Sequence, residues 1–593
     1  MANFSRDNTL QNPELALHLA AHKNDIIKLR ALISENCDLE RGSSYGTALH
    51  VAITSDQPDA VRILLDAGAD SEKPPDCSSY ECENSLVLAA IWGKRAIVKI
   101  LWDHGVAHDL PSVHKPSLDH LSNQRKSAKI RLSALSQAAL QGFDGIVSDL
   151  CAWRAMDADE MDAALFLGAV RWEDDVIQAL LQGGKVTQDG LDEALLRAAS
   201  HRIMLTERGL AAVDMRPQKQ GRVIELLLDA GARINIQQPV SGNTALHISA
   251  SSPDTVGAVR VLLERGADVH IRNKKGETAI AGAMVKQRRP PYKQPREIYN
   301  TDAIMMLLQH GASVFVTDNF GQTPMHILAY YGTYSLFQRC LDYHSNPNIF
   351  VTTLYGETLL HRAANGNQVE IVERLLADGA CINETSSSGW TALIFALSEK
   401  LGGVEMLQVV NLLLDHGAKA TDTTEEGWTA LHRVADVSDR YHEGVTALID
   451  RLISLGADTE ARAVVPGNID KYRPVGYHLK LSLQEQPPIA SEQTPLHWAA
   501  SNGSVTVVEA LLRHGANPVA RDSTNSTPAL CAAYAQPVYG REYSIAKRQQ
   551  VIKLLLTHGA GYEDEDANGR GVYGWAAVNG LPLWWPECRR RKV

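Results

Sequence analysis

Apolar residues occur along the chain in paired blocks separated by short Gly-containing polar stretches. Around residue 500, the first block is short and rich in small residues, at Leu496, Ala499 and Ala500. The second block places its apolar residues three and four positions apart, at Val507, Val508, Leu511 and Leu512. Because this spacing puts apolar side chains on one face of a helix, the two blocks predict two short helices.

The polar residues around these blocks predict where each helix begins and ends. Thr494 can cap the first helix, and Pro495 is tolerated in its first turn. Gly503 is placed to end the first helix, and Gly515 can end the second in a left-handed conformation. Two helices of this size cannot bury their apolar faces alone, so each pair must stack on neighbouring pairs.

The same phrases recur along nearly the whole chain. TALH begins at residues 47, 244 and 429, TPMH at 323, TLLH at 358 and TPLH at 494. Phrases such as LLDAGA, LLERGA and LLRHGA follow most of these at a distance of about twenty residues. The steps from Thr358 to Thr391 and from Thr494 to Thr527 are both 33 residues, a period typical of a solenoid. About fourteen units are predicted, some of them degenerate.

The recurring phrases T-[PA]-L-H-x-A and L-L-x-x-G-A-[DN] resemble those of the ankyrin repeat family. The resemblance implies an all-α solenoid of stacked helix-turn-helix units with finger loops and several inserted loops. It also implies that the phrase histidines are structural and link neighbouring loops by hydrogen bonds; they are His50, His247, His326, His361, His432 and His497. The histidines before Gly-Ala are expected to cap second helices; they are His104, His310, His416, His514 and His558.

Breaks in the period predict the organisation of the chain. The predicted segments are N-terminal repeats 1–109, a linker or insertion 110–131, degenerate repeats 132–240, central repeats 241–463, an inserted loop 464–490, C-terminal repeats 491–566, and a capping unit with a basic tail 567–593. Units near 110–190 have lost the TPLH phrase, and the array is expected to bend or divide there.

Composition narrows the possible functions. The net charge of −11 disfavours general attraction to nucleic acid or anionic membranes. The eight cysteines form no Cys-x-x-Cys pair and no zinc-module spacing. We find no signal-peptide pattern, no membrane-spanning apolar run, no P-loop, no nucleophile elbow and no His-Glu-x-x-His helix. We therefore expect no catalytic residues, no cofactor and no metal site.

Aromatic residues occupy positions that contact partners in ankyrin arrays, namely the loop before the first helix and the exposed end of that helix. Four successive units place such residues there: Phe320, Tyr330, Tyr331, Tyr355, Trp390 and Trp428. Exposed aromatics in a row favour recognition, because they give a large contact area at a low entropic cost. The alternative is that they pack on neighbouring loops and stiffen the array.

The sequence thus favours a non-enzymatic, monomeric scaffold or adaptor, cytoplasmic or nuclear, that binds a protein or peptide along a concave groove. Neither direct nucleic-acid binding nor membrane insertion is expected. One alternative is an enzyme whose pocket involves the insertions at 464–490 and 534–550. Another is a nuclear co-regulator addressed by the basic tail Arg589–Lys592.

Overall fold

A computed structural model shows that the chain is built from short antiparallel helix pairs. The structure describes residues 15–43, 45–74, 84–106, 132–200, 217–284, 300–345, 347–398, 403–435, 437, 442–464, 491–534, 545–578 and 581. Within these ranges, β-type pairing is limited to isolated bridges such as that between Ser43 and Gly46. The predicted all-α solenoid of ankyrin-type units is confirmed.

The chain divides into two compact units. The first comprises Met1–Ala283 with Gln287–Ala312. Its described helices are α1 (Ala16–Lys23), α2 (Ile26–Ser34), α3 (Ala48–Thr54), α4 (Pro58–Asp66), α5 (Ser85–Ile91), α6 (Arg95–Asp103), α7 (Ala134–Gln141), α8 (Asp144–Trp153), α9 (Ala158–Arg171), α10 (Asp174–Gly183), α11 (Gln188–Ala198), α12 (Pro217–Asp229), α13 (Ala245–Ala250), α14 (Val256–Glu264), α15 (Ala279–Ala283) and α16 (Thr301–Gln309). A 3₁₀ turn, Pro253–Thr255, precedes α14.

The second unit comprises Met284–Lys286 with Ser313–Val593. Its described helices are α17 (Pro324–Tyr331), α18 (Tyr334–Asp342), α19 (Leu359–Asn365), α20 (Val369–Ala377), α21 (Ala392–Ala396), α22 (Val404–Asp415), α23 (Ala430–Val434), α24 (His442–Ser454), α25 (Pro495–Ser501), α26 (Val505–Arg513), α27 (Pro528–Tyr534), α28 (Ile545–Thr557) and α29 (Val572–Val578). The division between the units falls inside the predicted central block 241–463. The predicted insertion 110–131 lies outside the described residues, as does the predicted loop 464–490 except for Val464.

The predicted helix ends are confirmed in the repeat around residue 500. Thr494 is the N-cap of α25, and Pro495 occupies its first turn. Gly503 and Gly515 follow the two helices with φ angles of 65° and 84°, which glycine adopts without strain. First helices of successive repeats pack side by side, as do second helices, so each pair buries its apolar face against the next.

The histidines of the repeated phrase join each repeat to the next one, as predicted. In His326, Nδ1 accepts a hydrogen bond from the backbone N–H of Thr323, so Nε2 carries the proton and donates to a carbonyl of the following repeat. The six donor–acceptor pairs, 3.0 to 3.2 Å long, are His50–Lys73, His247–Glu277, His326–Glu357, His361–Glu384, His432–Gln493 and His497–Ser526. His18 makes the same contact with Gly46 O at 3.1 Å.

Burial favours the neutral form of five of the six phrase imidazoles. It lowers the pKa of His326, His361 and His432 to about 4 in each case. Burial also lowers the pKa of His247 and of His497. A neutral ring is what the contact needs, because one nitrogen must accept while the other donates. The histidines are therefore structural links.

Most histidines before Gly-Ala cap second helices, as expected. The Nδ1 atoms of His310, His416 and His558 lie 2.8 to 2.9 Å from carbonyls of the last helical turn. His514 is an exception, because its Nε2 contacts Asp450 Oδ1 at 2.7 Å instead.

The degenerate repeats at 132–200 keep the helix pairs but link them differently. Asp162 on α9 is buried and accepts from both the backbone N–H and the hydroxyl of Thr187, the N-cap of α11. One repeat further, buried Asp192 accepts from the backbone N–H of Arg233 at 2.7 Å and from its guanidinium. Carboxylates thus join these repeats where histidines join the others.

Candidate partner-binding surface

Four successive finger loops of the second unit line up through their backbones. They are residues 314–322, 349–357, 382–390 and 420–428, and together we call them the finger ridge. An N–H near each tip donates to a carbonyl of the preceding tip: Leu354 to Phe320 (2.8 Å), Ser387 to Tyr355 (2.7 Å) and Glu425 to Ser388 (3.1 Å). The ridge is therefore held in a fixed geometry by hydrogen bonds between repeats.

Glycine is required where the tips approach each other. Gly321 and Gly356 have φ angles of 73° and 69°, in the region that L-residues rarely adopt. A Cβ atom on Gly321 would also lie 2.7 Å from the backbone nitrogen of Leu354. The glycine before each N-cap threonine thus sets the close spacing of the fingers.

Large apolar side chains project from the first two fingers. Phe320 is 53% exposed and Tyr355 is 58% exposed, as the sequence led us to expect. Leu354 lies beside Tyr355 and is 71% exposed, although it was not among the predicted site residues. Leu354 stands one repeat position before Phe320 and Tyr355. Because it is not aromatic, the pattern of aromatic residues did not include it.

Tyr330 and Tyr331 end α17 and pack edge to face, with ring centroids 4.3 Å apart. Tyr331 is 42% exposed, whereas Tyr330 is half-buried. The pair belongs to the same repeat as Phe320, but it is carried by a helix end rather than by a finger tip.

Trp390 and Trp428 lie at the bases of the third and fourth fingers, immediately before N-cap threonines. The guanidinium of Arg433 stacks between their rings, 4.7 Å from the Trp390 centroid and 5.0 Å from that of Trp428. Trp498 packs edge to face on Trp428 with centroids 4.8 Å apart. We call Trp390, Arg433, Trp428 and Trp498 the stacked row.

The stacked row corrects one expectation from the sequence. Trp428 is only 8% exposed, so the predicted solvent-facing aromatic at this finger is wrong. Trp390 is half-buried in its contact with Arg433. Replacing Trp428 would therefore remove packing as well as surface, and a change in binding could not be assigned to surface alone.

Sequence reasoning missed Arg433 and Trp498 as members of this group. Each directly follows a linking histidine, His432 or His497, and therefore occupies one repeat position in successive units. The residue before the N-cap and the residue after the histidine meet in space, since Arg362 and Glu357 hold the same two positions and form an ion pair at 2.7 Å. This recurring pairing of two repeat positions is the sequence signal that could have placed Arg433 beside Trp428.

The finger ridge is acidic. Its four segments contain six carboxylates and no lysine or arginine: Asp318, Glu357, Glu384, Asp422, Glu425 and Glu426. Of these, Glu357 is paired with Arg362. The finger at 269–277, in the first unit, contains Arg272, Lys274 and Lys275 and has the opposite character. The acidic charge is thus a local property of the ridge.

Among the residues the structure describes, no three His, Cys, Asp or Glu side chains cluster in a way that could hold a metal ion. Within those ranges, no helix has the length and apolar character needed to cross a membrane. Residues 465–490 and 535–544, which hold most of the two insertions of the enzyme alternative, lie outside the described part, as does the tail Arg589–Lys592.

Comparison with known families finds ankyrin repeats along the chain. A profile described as ankyrin repeats in three copies matches residues 2–75, 297–386 and 327–421. A profile for the single ankyrin repeat matches residues 241–274 and 491–523. The finger ridge lies within the three-copy matches apart from residues 422–428.

Curated relatives share parts of the chain. SH3 and multiple ankyrin repeat domains protein 2 of Homo sapiens is 29% identical over 177 residues, which is 29% of this chain and 9% of that protein. Ankyrin repeat and SOCS box protein 6 of Pongo abelii is 31% identical over 106 residues, or 18% of this chain and 24% of that protein. Transient receptor potential cation channel subfamily A member 1 of Homo sapiens is 25% identical over 427 residues, 64% of this chain and 34% of that protein. The chain therefore spans about a third or less of the length of each of these relatives.

Proposed function

Because the chain belongs to the ankyrin repeat family, we propose that it is a non-enzymatic scaffold or adaptor that binds a protein or peptide partner along its finger ridge. The observation that carries this proposal is the exposure of Phe320, Leu354 and Tyr355 on two adjacent, backbone-linked fingers. Large apolar side chains on a rigid support are the usual centres of protein interfaces.

The arrangement suits binding because little ordering remains to be done when a partner arrives. The tips are already joined by backbone hydrogen bonds, and aromatic side chains have few rotatable bonds to immobilise. No covalent chemistry or cofactor is required by this function. Affinity would come from complementary surface across several repeats.

The proposal is tested by removing the apolar tips while keeping the fold. The variant F320S/Y355S changes two exposed side chains, and far-UV circular dichroism and melting should match the unaltered chain. Tagged full-length protein is used for affinity purification with quantitative mass spectrometry. We expect a defined set of co-purified proteins to fall at least tenfold with the variant.

The matched control is V240S, because Val240 is also an exposed apolar residue near a finger tip, but in the first unit. The V240S protein should retain the set that F320S/Y355S loses. Equal recovery of all partners by the unaltered chain and by F320S/Y355S would refute the assignment of the ridge.

We further propose that the protein is monomeric and acts in the cytoplasm or nucleus. The basic residues Arg589–Lys592 support a nuclear address by composition alone. Imaging of a tagged chain with and without residues 589–593 separates the two compartments. Loss of nuclear signal on truncation would support the address, and an unchanged distribution would exclude it.

A further inference from the structure

We propose that the finger ridge binds an extended peptide segment with apolar side chains at one end and lysine or arginine at the other. This inference rests on the proposed protein-binding function and specifies the chemistry of the partner. It follows from the way exposed character changes from finger to finger along the ridge.

The apolar end of the ridge is formed by its first two fingers. Phe320 on the first and Leu354 with Tyr355 on the second expose their side chains, and the two tips are hydrogen-bonded to each other. Contiguous exposed apolar groups on a folded protein are uncommon unless something covers them. Apolar side chains of a partner would remove this surface from water, which is favourable.

The other end of the ridge is polar and negative. The third finger has small residues, Ser387 and Ser388, at its tip, so an occupant can pass over it. The fourth finger carries Glu425, which is exposed, and Glu426, which is half-buried. Because the ridge segments contain no lysine or arginine, nothing within them neutralises these carboxylates for an approaching ligand. A cationic side chain is the complementary group.

Spacing along the ridge suits an extended chain. Helices that pack side by side lie about 8–10 Å apart, so successive fingers have a similar separation. An extended peptide advances about 3.3 Å per residue and would cover one finger with roughly three residues. The first and fourth fingers are three steps apart, so the occupant is a segment of about ten residues.

The stacked row packs together the bases of the third and fourth fingers, which form the negative end of the ridge. Arg433 is held between Trp390 and Trp428 at the bases of the third and fourth fingers. The tips of these two fingers are joined by the hydrogen bond from Glu425 N to Ser388 O at 3.1 Å. The finger that carries the Glu425 and Glu426 carboxylates is thus held both at its tip and at its base.

The probe is a phage-displayed library of random 16-residue peptides, selected on the full-length protein. We expect enriched sequences with one or two large apolar residues and lysine or arginine six to nine positions away. A synthetic peptide of the enriched sequence is then measured by fluorescence anisotropy. Enrichment of acidic sequences would overturn the proposal. A selection that yields no peptide whose binding depends on residues of the finger ridge would also overturn it.

Charge reversal at the fourth finger tests the polar end. E425K/E426K should weaken binding of the selected peptide at least tenfold and reduce its dependence on salt, because two attractive charges become repulsive. The control E373K/E509K makes the same charge change at exposed residues of α20 and α26, away from the ridge, and should alter affinity less than twofold.

The two levels of inference fail in different ways. If F320S/Y355S abolishes peptide binding but E425K/E426K does not change it, the ridge binds proteins and the basic partner chemistry is wrong. If neither variant changes the binding of any selected peptide or purified partner, both the basic chemistry and the ridge assignment are wrong.

Discussion

In the second unit and at 132–200, side-chain hydrogen bonds join successive repeats, but the linking side chain is a donor in the first case and an acceptor in the second. In the second unit a neutral imidazole, as in His361, donates to a carbonyl of the next repeat. At 132–200 a carboxylate, Asp162 or Asp192, accepts from donors of the next repeat instead. Both arrangements join neighbouring repeats through one buried polar side chain.

This difference teaches that the helix-pair architecture does not require the TPLH phrase. The family profiles leave residues 76–240 unmatched, yet α7 to α11 form the same kind of pairs. In both regions the buried linking side chain has its hydrogen-bond partner, and a buried polar group without one would be costly. Either side chain can provide that link.

Acidification should destabilise the histidine-linked repeats more than the carboxylate-linked repeats at 132–200, and this is the largest difference that we expect between them. The folded-state pKa of His326, His361 and His432 is about 4, below the value of about 6.5 for an unfolded chain. Between these values the unfolded chain binds more protons, so stability present above pH 6.5 is lost as the pH falls toward 4. At pH 5 the cost is about 2 kcal/mol for each histidine, or about 6 kcal/mol in total.

Hydrogen exchange with mass spectrometry, corrected for the intrinsic rates at pH 7 and pH 5, measures this effect by region. Peptides from 323–377 should lose protection, whereas peptides from 158–198 should change less, because residues 132–200 contain no histidine. Equal loss of protection in both regions would contradict the assigned role of the histidines.

Removal of one link should have the next largest effect. His432 is fully buried, accepts from the Thr429 N–H at 3.2 Å and donates to Gln493 O at 3.0 Å. This link also closes the 61-residue separation that includes the inserted loop. H432A should therefore cost about 3 kcal/mol, because two polar groups lose their partner and a cavity forms.

Urea denaturation followed by circular dichroism measures the loss for H432A. The control H416A removes an exposed histidine that bonds only within its own helix, and it should cost well under 1 kcal/mol. Similar denaturation midpoints for H432A and H416A would show that the link carries no stability.

The fold was predictable because its signals are local and repeated. Thr494, Pro495 and Gly515 act within a few residues of themselves, so their roles follow from spacing alone. The histidine links were predicted from the family resemblance. Asp162 could not be recognised in the same way, because an isolated aspartate near a helix start resembles an ordinary cap.

The candidate surface was predictable only in part. Exposure of Phe320 and Tyr355 followed from their place next to the finger glycine. Burial of Trp428 did not, because it depends on Arg433 and on Trp498, which lies 70 positions along the chain beyond an insertion. The contact of Trp428 with Trp498 joins position −1 of one repeat, counted from its N-cap threonine, to position +4 of the next, so it arises only after the repeats are stacked.

The smallest expected effect tests the carboxylate link by an isosteric change. Asp162 accepts the Thr187 N–H through Oδ1 at 2.9 Å and its hydroxyl through Oδ2. D162N keeps one acceptor, and the Thr187 hydroxyl can turn to accept from the new amide, so we expect a loss of only about 1 kcal/mol. D159N makes the same charge change at an exposed residue of α9 and should be neutral. A loss of stability for D162N equal to that for H432A would contradict this expectation. It would show that the repeats depend on the Asp162 carboxylate as strongly as on the His432 imidazole.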